Sequence, residues 1–118
     1  MKKYFFYNTE GIQSICEIEN NSRLKINKVI TNKVLLTDKI HYHPEGDEYY
    51  ICLKGKAKLE IENRIVDISK GEIILVYSGE KHKVIEIIEE IEFFVIRTNN
   101  KVNDKIEIKV YSENIIFK

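Results

Sequence analysis

From Lys56 to Glu62 the chain alternates without a break, with Ala57, Leu59 and Ile61 set between Lys56, Lys58, Glu60 and Glu62. Successive side chains of a β-strand point to opposite faces, so this pattern describes a strand with one face buried and the other wet. Asn63-Arg64 follows as a tight hairpin turn, Ile65-Val66-Asp67-Ile68 returns, and Gly71 interrupts before the apolar run Ile73 to Val76. Further strands are expected over Ile12–Glu19, Leu24–Ile30, Val34–Thr37, Tyr49–Lys54, Val84–Ile88, Ile91–Arg97 and Ile106–Tyr111. Turn-forming clusters separate them: Asn20-Asn21-Ser22, Thr31-Asn32-Lys33, Pro44-Glu45-Gly46-Asp47, Ser78-Gly79-Glu80 and Asn99-Asn100. Glu86 to Glu92 reads as two strands meeting at a charged turn. Many short strands at close spacing predict an antiparallel sandwich or barrel.

Composition agrees. Isoleucine, valine, tyrosine and phenylalanine are abundant, while Ala57 is the only alanine and Pro44 the only proline. At 118 residues the chain is expected to form one domain, spanning residues 1–118, with a core that needs no disulfides. The net charge is zero, which gives no electrostatic reason for a nucleic-acid or anionic-membrane partner. Arg23, Arg64 and Arg97 are the only arginines, too few to suggest a dedicated phosphate clamp. Cys16 and Cys52 form no C-x-x-C pair and read as free thiols in a reducing compartment. Neither a secretory signal nor an apolar run of membrane-spanning length is evident, so a cytoplasmic protein is expected.

All three histidines fall into one spaced set with an acidic residue: His41, His43, Glu48 and His82. His41 and His43 stand at i and i+2 of a strand and share a face, so both imidazoles can meet one ion. Glu48 lies a short turn later, and His82 can reach the same point from a neighbouring strand. Imidazoles with a carboxylate suit a divalent transition metal: iron, manganese, nickel, cobalt, copper or zinc. Ligation needs neutral imidazoles, so occupancy is expected to fall below about pH 6.

His41-x-His43-x4-Glu48-x6-Gly55, followed by Gly71-x5-Tyr77-x-Gly79-x2-His82, resembles the paired signatures of the cupin superfamily. The match runs from about Ile40 to Glu86, and the interval between Gly55 and Gly71 resembles that of small single-domain microbial cupins. Tyr77 stands where the pattern usually has proline, and Glu86 where it often has asparagine. The resemblance implies an all-β double-stranded β-helix, a jelly-roll-type barrel of antiparallel strands. It also implies that His41, His43, Glu48 and His82 hold the metal. Gly55 and Gly71 read as structural positions where strands bend or turn.

Parity nominates residues around that centre. If the strand after Glu48 runs straight, Tyr50 and Cys52 share its inward face. Tyr50 is then either a proton donor to a ligand or a packed core residue with a satisfied hydroxyl. Cys52 reads as a small buried apolar residue. Glu86 shares the parity of His82 and is either a general base or, if a bulge intervenes, a solvated surface group. Tyr77 is placed at the mouth beside Gly79, and Lys81 and Lys83 on an outward face. The resemblance admits two kinds of function. One is a metalloenzyme acting on a sugar or a keto or hydroxy acid, as isomerase, epimerase, lyase or dioxygenase. The other is a non-catalytic small-molecule-binding or sensor cupin. The apolar start Tyr4-Phe5-Phe6-Tyr7 suits lying on a partner's sheet in a homodimer, or else covering the chain's own barrel.

Overall fold

The structure, a computed structural model, describes residues 1, 7–9, 12–14, 24–35, 39–99 and 105–108. Every regular element among them is a strand: β1 (Tyr7–Thr9), β2 (Ile12–Ser14), β3 (Leu24–Thr31), β4 (His41–Tyr42), β5 (Glu48–Ile61), β6 (Arg64–Ser69), β7 (Ile73–Val76), β8 (His82–Thr98) and β9 (Ile106–Glu107). All pairings are antiparallel. The expected all-β, jelly-roll-type architecture is what forms.

Two long strands organise it. β5 and β8 stay paired from Glu48 opposite Arg97 to Ile61 opposite His82. At the Glu48 end, β7 flanks β5 while β3, β2 and β1 extend the sheet beyond β8. At the Ile61 end, β6 flanks β5 while β4 and β9 extend it beyond β8. The same two strands therefore serve both leaves of a rolled sheet.

The roll shows in the burial of β5. Glu48, Tyr50 and Cys52 are buried in its first half, but Ala57, Leu59 and Ile61 in its second. The inward parity switches from even to odd across Gly55. That glycine sits at φ +85°, a left-handed conformation, and a Cβ there would collide with the carbonyl oxygen of Glu90 and lie 2.9 Å from that of Glu89. With register shifts on either side, β5 bends here without losing its partner. The core is built from Tyr50, Cys52, Ala57, Leu59, Ile61, Ile68, Val76, Ile91 and Phe93, drawn from both leaves.

Several sequence expectations are corrected. The hairpin after β5 turns on Glu62-Asn63, not Asn63-Arg64. Ile61 pairs with Arg64, and φ is 47° at Glu62 and 65° at Asn63, the doubly left-handed turn that matches strand twist. Tyr49–Lys54 and Lys56–Glu62 merge into β5, and Val84–Ile88 and Ile91–Arg97 merge into β8 without a charged turn. Continuous pairing with β5 carries β8 through Glu89 and Glu90, where sequence periodicity alone suggests a break. Val34 and Leu35 lie outside any strand. Tyr4, Phe5, Phe6, Cys16, Asn20-Asn21-Ser22, residues 15–19 of the expected strand Ile12–Glu19, residues 36–37 of Val34–Thr37 and residues 109–111 of Ile106–Tyr111 fall outside the described residues.

The glycines give a test. Gly71 is also left-handed, at φ +88°, but a Cβ there would meet nothing within 4 Å. Gly71→Ala should therefore cost only the backbone strain, about 1 kcal/mol, while Gly55→Ala adds a clash with β8 backbone and should cost about 3 kcal/mol or more. Urea unfolding of the two variants checks the order; equal losses would contradict the close approach at Gly55.

Candidate metal centre

β4 places His41 opposite His82 of β8, and His43 follows just beyond the end of β4. The turn before β8 is pinned on both sides. Gly79 N–H donates to the carbonyl of His43 at 2.8 Å, and Glu62 N–H donates to that of Lys81 at 2.9 Å. Glu48 opens β5 on the other leaf. All four side chains are buried, and each can offer a ligand atom within 4.8 Å of the others. The imidazole centroids stand 4.3 Å apart for His41 and His82, 5.0 Å for His41 and His43, and 5.5 Å for His43 and His82.

The hydrogen bonds orient the rings. His41 Nδ1 lies 2.6 Å from the Lys39 carbonyl and His82 Nδ1 2.8 Å from the Glu80 carbonyl. A carbonyl only accepts, so both Nδ1 atoms carry the proton and both Nε2 atoms are left to meet what lies in the site. His82 Nε2 is 2.9 Å from Glu48 Oε1, and His43 Nε2 is 3.5 Å from Oε2. With a carbonyl at one ring nitrogen and a carboxylate at the other, His82 needs either a second proton or a cation at Nε2. The donor set therefore fits a metal: oriented imidazole nitrogens around a buried carboxylate, with protons as the competitors.

The local electrostatics favour ligation. Burial pushes the pKa of His41 down from 6.5 to about 4, with the charge of His82 assisting against the hydrogen bond to Lys39, so this imidazole is neutral at physiological pH. For Glu48, burial pushes upward, but hydrogen bonding by His43 and His82 and the Arg97 charge outweigh it and hold the carboxyl well below the usual range.

The sequence matches the family model of the cupin domain over residues 36–96, just over half of the chain. The chain belongs to the cupin family. Among solved structures it is similar to the Streptomyces nucleoside dehydratase Pac13, at TM-score 0.69 and 12% identity over 94% of this chain and 89% of that one. It is similar to KdgF from Halomonas, at TM-score 0.64 and 16% identity over 84% of this chain and 97% of that one. A sugar phosphate isomerase from Silicibacter pomeroyi matches at TM-score 0.60 and 21% identity over 77% of this chain and 61% of that one. These likenesses establish the fold. No curated protein sequence matches significantly.

In this cupin the cluster borders a cavity of about 140 Å³ open to solvent, reached by His41, Glu48 and Tyr50. Tyr50 is buried, packed edge-on to His82 at 6.2 Å and to Phe93 at 5.7 Å between centroids. Arg97, not singled out from the sequence, lines the same cavity, and its Nε and Nη2 both donate to Glu48 Oε2 at 3.3 Å. Asn27 of β3 lines it too, with its Oδ1 buried and unbonded. The signal for Arg97 was weak, because Phe93, Phe94, Val95 and Ile96 are apolar on both faces of the strand and hide its parity.

Glu86 is not in the site. Leu59 pairs with Val84 but Lys58 with Glu86, so Ile85 is an extra residue in β8 that reverses the parity set by His82. Val84 and Ile87 line the cavity instead, and Glu86 is exposed. Tyr77 is also exposed and lines a separate groove with Ile61, Val66 and Ile74. Cys52 sits in the core with its thiol directed to the Lys54 carbonyl at 3.3 Å, its pKa raised by burial. Lys81 is exposed and Lys83 half-buried.

The depressed pKa of His41 has a stability consequence. Below pH 6.5 the unfolded chain takes up a proton that folded His41 refuses until about pH 4, so stability present above pH 6.5 is lost as pH falls. The chelator-treated protein should lose up to about 3 kcal/mol across that window, and Glu48 should add a further loss at lower pH. His41→Asn should flatten the upper part of the profile in denaturant titrations. A flat wild-type profile would contradict the burial argument.

Proposed function

We propose that this cupin is a divalent-metal-dependent enzyme acting on a small oxygen-bearing molecule, with His41, His43, Glu48 and His82 as ligands. One observation carries the reading: four buried side chains of metal-binding type converge within 4.8 Å beside a solvent-connected cavity. A bound metal supplies Lewis acidity toward a carbonyl or hydroxyl oxygen, or, if redox-active, a place for dioxygen beside the substrate. Four protein ligands leave positions open on a five- or six-coordinate ion. Isomerase, epimerase or lyase chemistry is favoured over dioxygenation, because solved structures sharing the fold include a nucleoside dehydratase and a sugar phosphate isomerase. Tyr50 is assigned the proton-transfer role, since its ring lies against His82 at the cavity wall. Arg97 holds Glu48 in place from the opposite strand.

Metal analysis of protein purified without a histidine tag tests the centre. Near-stoichiometric metal is expected in wild type and little in His41→Ala/His43→Ala; equal metal in both would sink the assignment. Turnover of sugars and of keto and hydroxy acids, compared between metal-loaded and chelated protein with O2 uptake followed in parallel, tests the reaction class. On a substrate so found, Tyr50→Phe should lower kcat about a hundredfold while metal content holds. Glu86→Gln should stay within about twofold of wild type, as befits an exposed residue outside the cavity. A ligand that co-purifies and is never turned over would replace the enzyme reading with a binding or sensing one. Light scattering checks the homodimer suggested by the apolar N-terminal sequence.

A further inference from the structure

The cavity beside the ligand cluster mixes cationic and apolar lining. Arg97, whose side chain is only 13% exposed, lines it together with Lys33 and Lys105. Among the described lining residues Glu48 is the only carboxylate, so the wall has an excess of positive charge before any metal binds. A divalent ion on the cluster raises that excess and shares the Glu48 charge that otherwise answers Arg97. Apolar side chains make up much of the rest: Val29 of β3, Phe93 and Val95 on the same strand face as Arg97, and Val84 and Ile87 from the first half of β8.

We propose that this cavity selects a short-chain carboxylate, its carboxyl group toward Arg97 and the metal site and its carbon chain against Val29, Val84, Phe93 and Val95. The proposal rests on the metal-dependent reading above and names its ligand class. A planar guanidinium suits a carboxylate, and partial burial strengthens the attraction by removing competing water. A neutral sugar would find partners for some hydroxyl groups on Asn27, Thr31 and Tyr50 but would press the rest on Val29, Val84, Phe93 and Val95, where they lose water. A phosphate dianion would meet the charge of Arg97, Lys33 and Lys105 but has no carbon chain to cover Val29, Val84, Phe93 and Val95. A cavity of about 140 Å³ compares with one that admits a benzene-sized molecule, which sets the chain at roughly four to six carbons.

Isothermal titration of acetate, butyrate, butyramide, xylose and inorganic phosphate into metal-loaded and metal-free protein tests this. Butyrate should bind at least tenfold more tightly than its neutral isostere butyramide, and affinity should rise about fourfold per methylene from acetate to butyrate. In metal-saturated Arg97→Gln the butyrate preference should shrink to about threefold or less, with Arg97→Lys between. Parallel butyrate and butyramide affinities in wild type, or tighter binding of xylose or phosphate, would overturn the proposal. So would an Arg97→Gln variant that weakens metal binding yet keeps the full butyrate preference when metal is saturating, since Arg97 would then only position Glu48. If no metal binds to wild type, the metal-dependent reading fails by itself, and the butyrate-to-butyramide ratio in the metal-free protein still decides this one.

Discussion

Everything in this molecule depends on β5 and β8 bending together. His82 pairs with Ile61, which stands 13 positions along β5 from Glu48 (61 − 48). On a straight ladder those positions would lie about 43 Å apart. Instead, His82 Nε2 and Glu48 Oε1 meet at 2.9 Å. Gly55 permits this by taking a left-handed conformation where β5 passes over the carbonyls of Glu89 and Glu90, with the register shifts beside it absorbing the mismatch. The bend that closes the barrel is also the step that brings His41, His43 and His82 to Glu48.

The assembled cluster carries an electrostatic burden. A buried carboxylate is costly unless positive charge and hydrogen bonds surround it. Glu48 has His82 and His43 on one side and Arg97 on the other, and its pKa falls despite its burial. His41 meets the opposite demand, staying neutral because burial disfavours its charged form. One acidic ligand held ionised and one basic ligand held neutral is the protonation state that a metal requires. The same arrangement leaves the cavity lined by cationic and apolar side chains together, which is the basis for proposing a carboxylate for it.

Local pattern told much of this beforehand. The alternation from Lys56 to Glu62 named the buried face of half of β5, and the parity of Glu48, Tyr50 and Cys52 named that of the other half. What it missed was that the two halves are one strand, because a parity switch at a left-handed glycine looks in sequence like a break. Glu86 failed for a related reason. Its alignment with His82 assumed a regular strand, and one extra residue at Ile85 reversed it. Arg97 was invisible as a site residue because its contact with Glu48 spans 49 positions and follows from register, which apolar residues on both faces do not specify.

By itself, the sequence determined the class of fold, the side-chain types that could hold a metal and the faces of most strands, since these follow from side-chain period and from the chemistry of imidazole and carboxylate. Only the tertiary structure decided which residues share the cavity. Bulges and the Gly55 bend reset the parity by single residues, and the pairing of distant strands sets which charged side chain stands opposite which. Those are properties of backbone paths in contact, and no local window of the chain contains them.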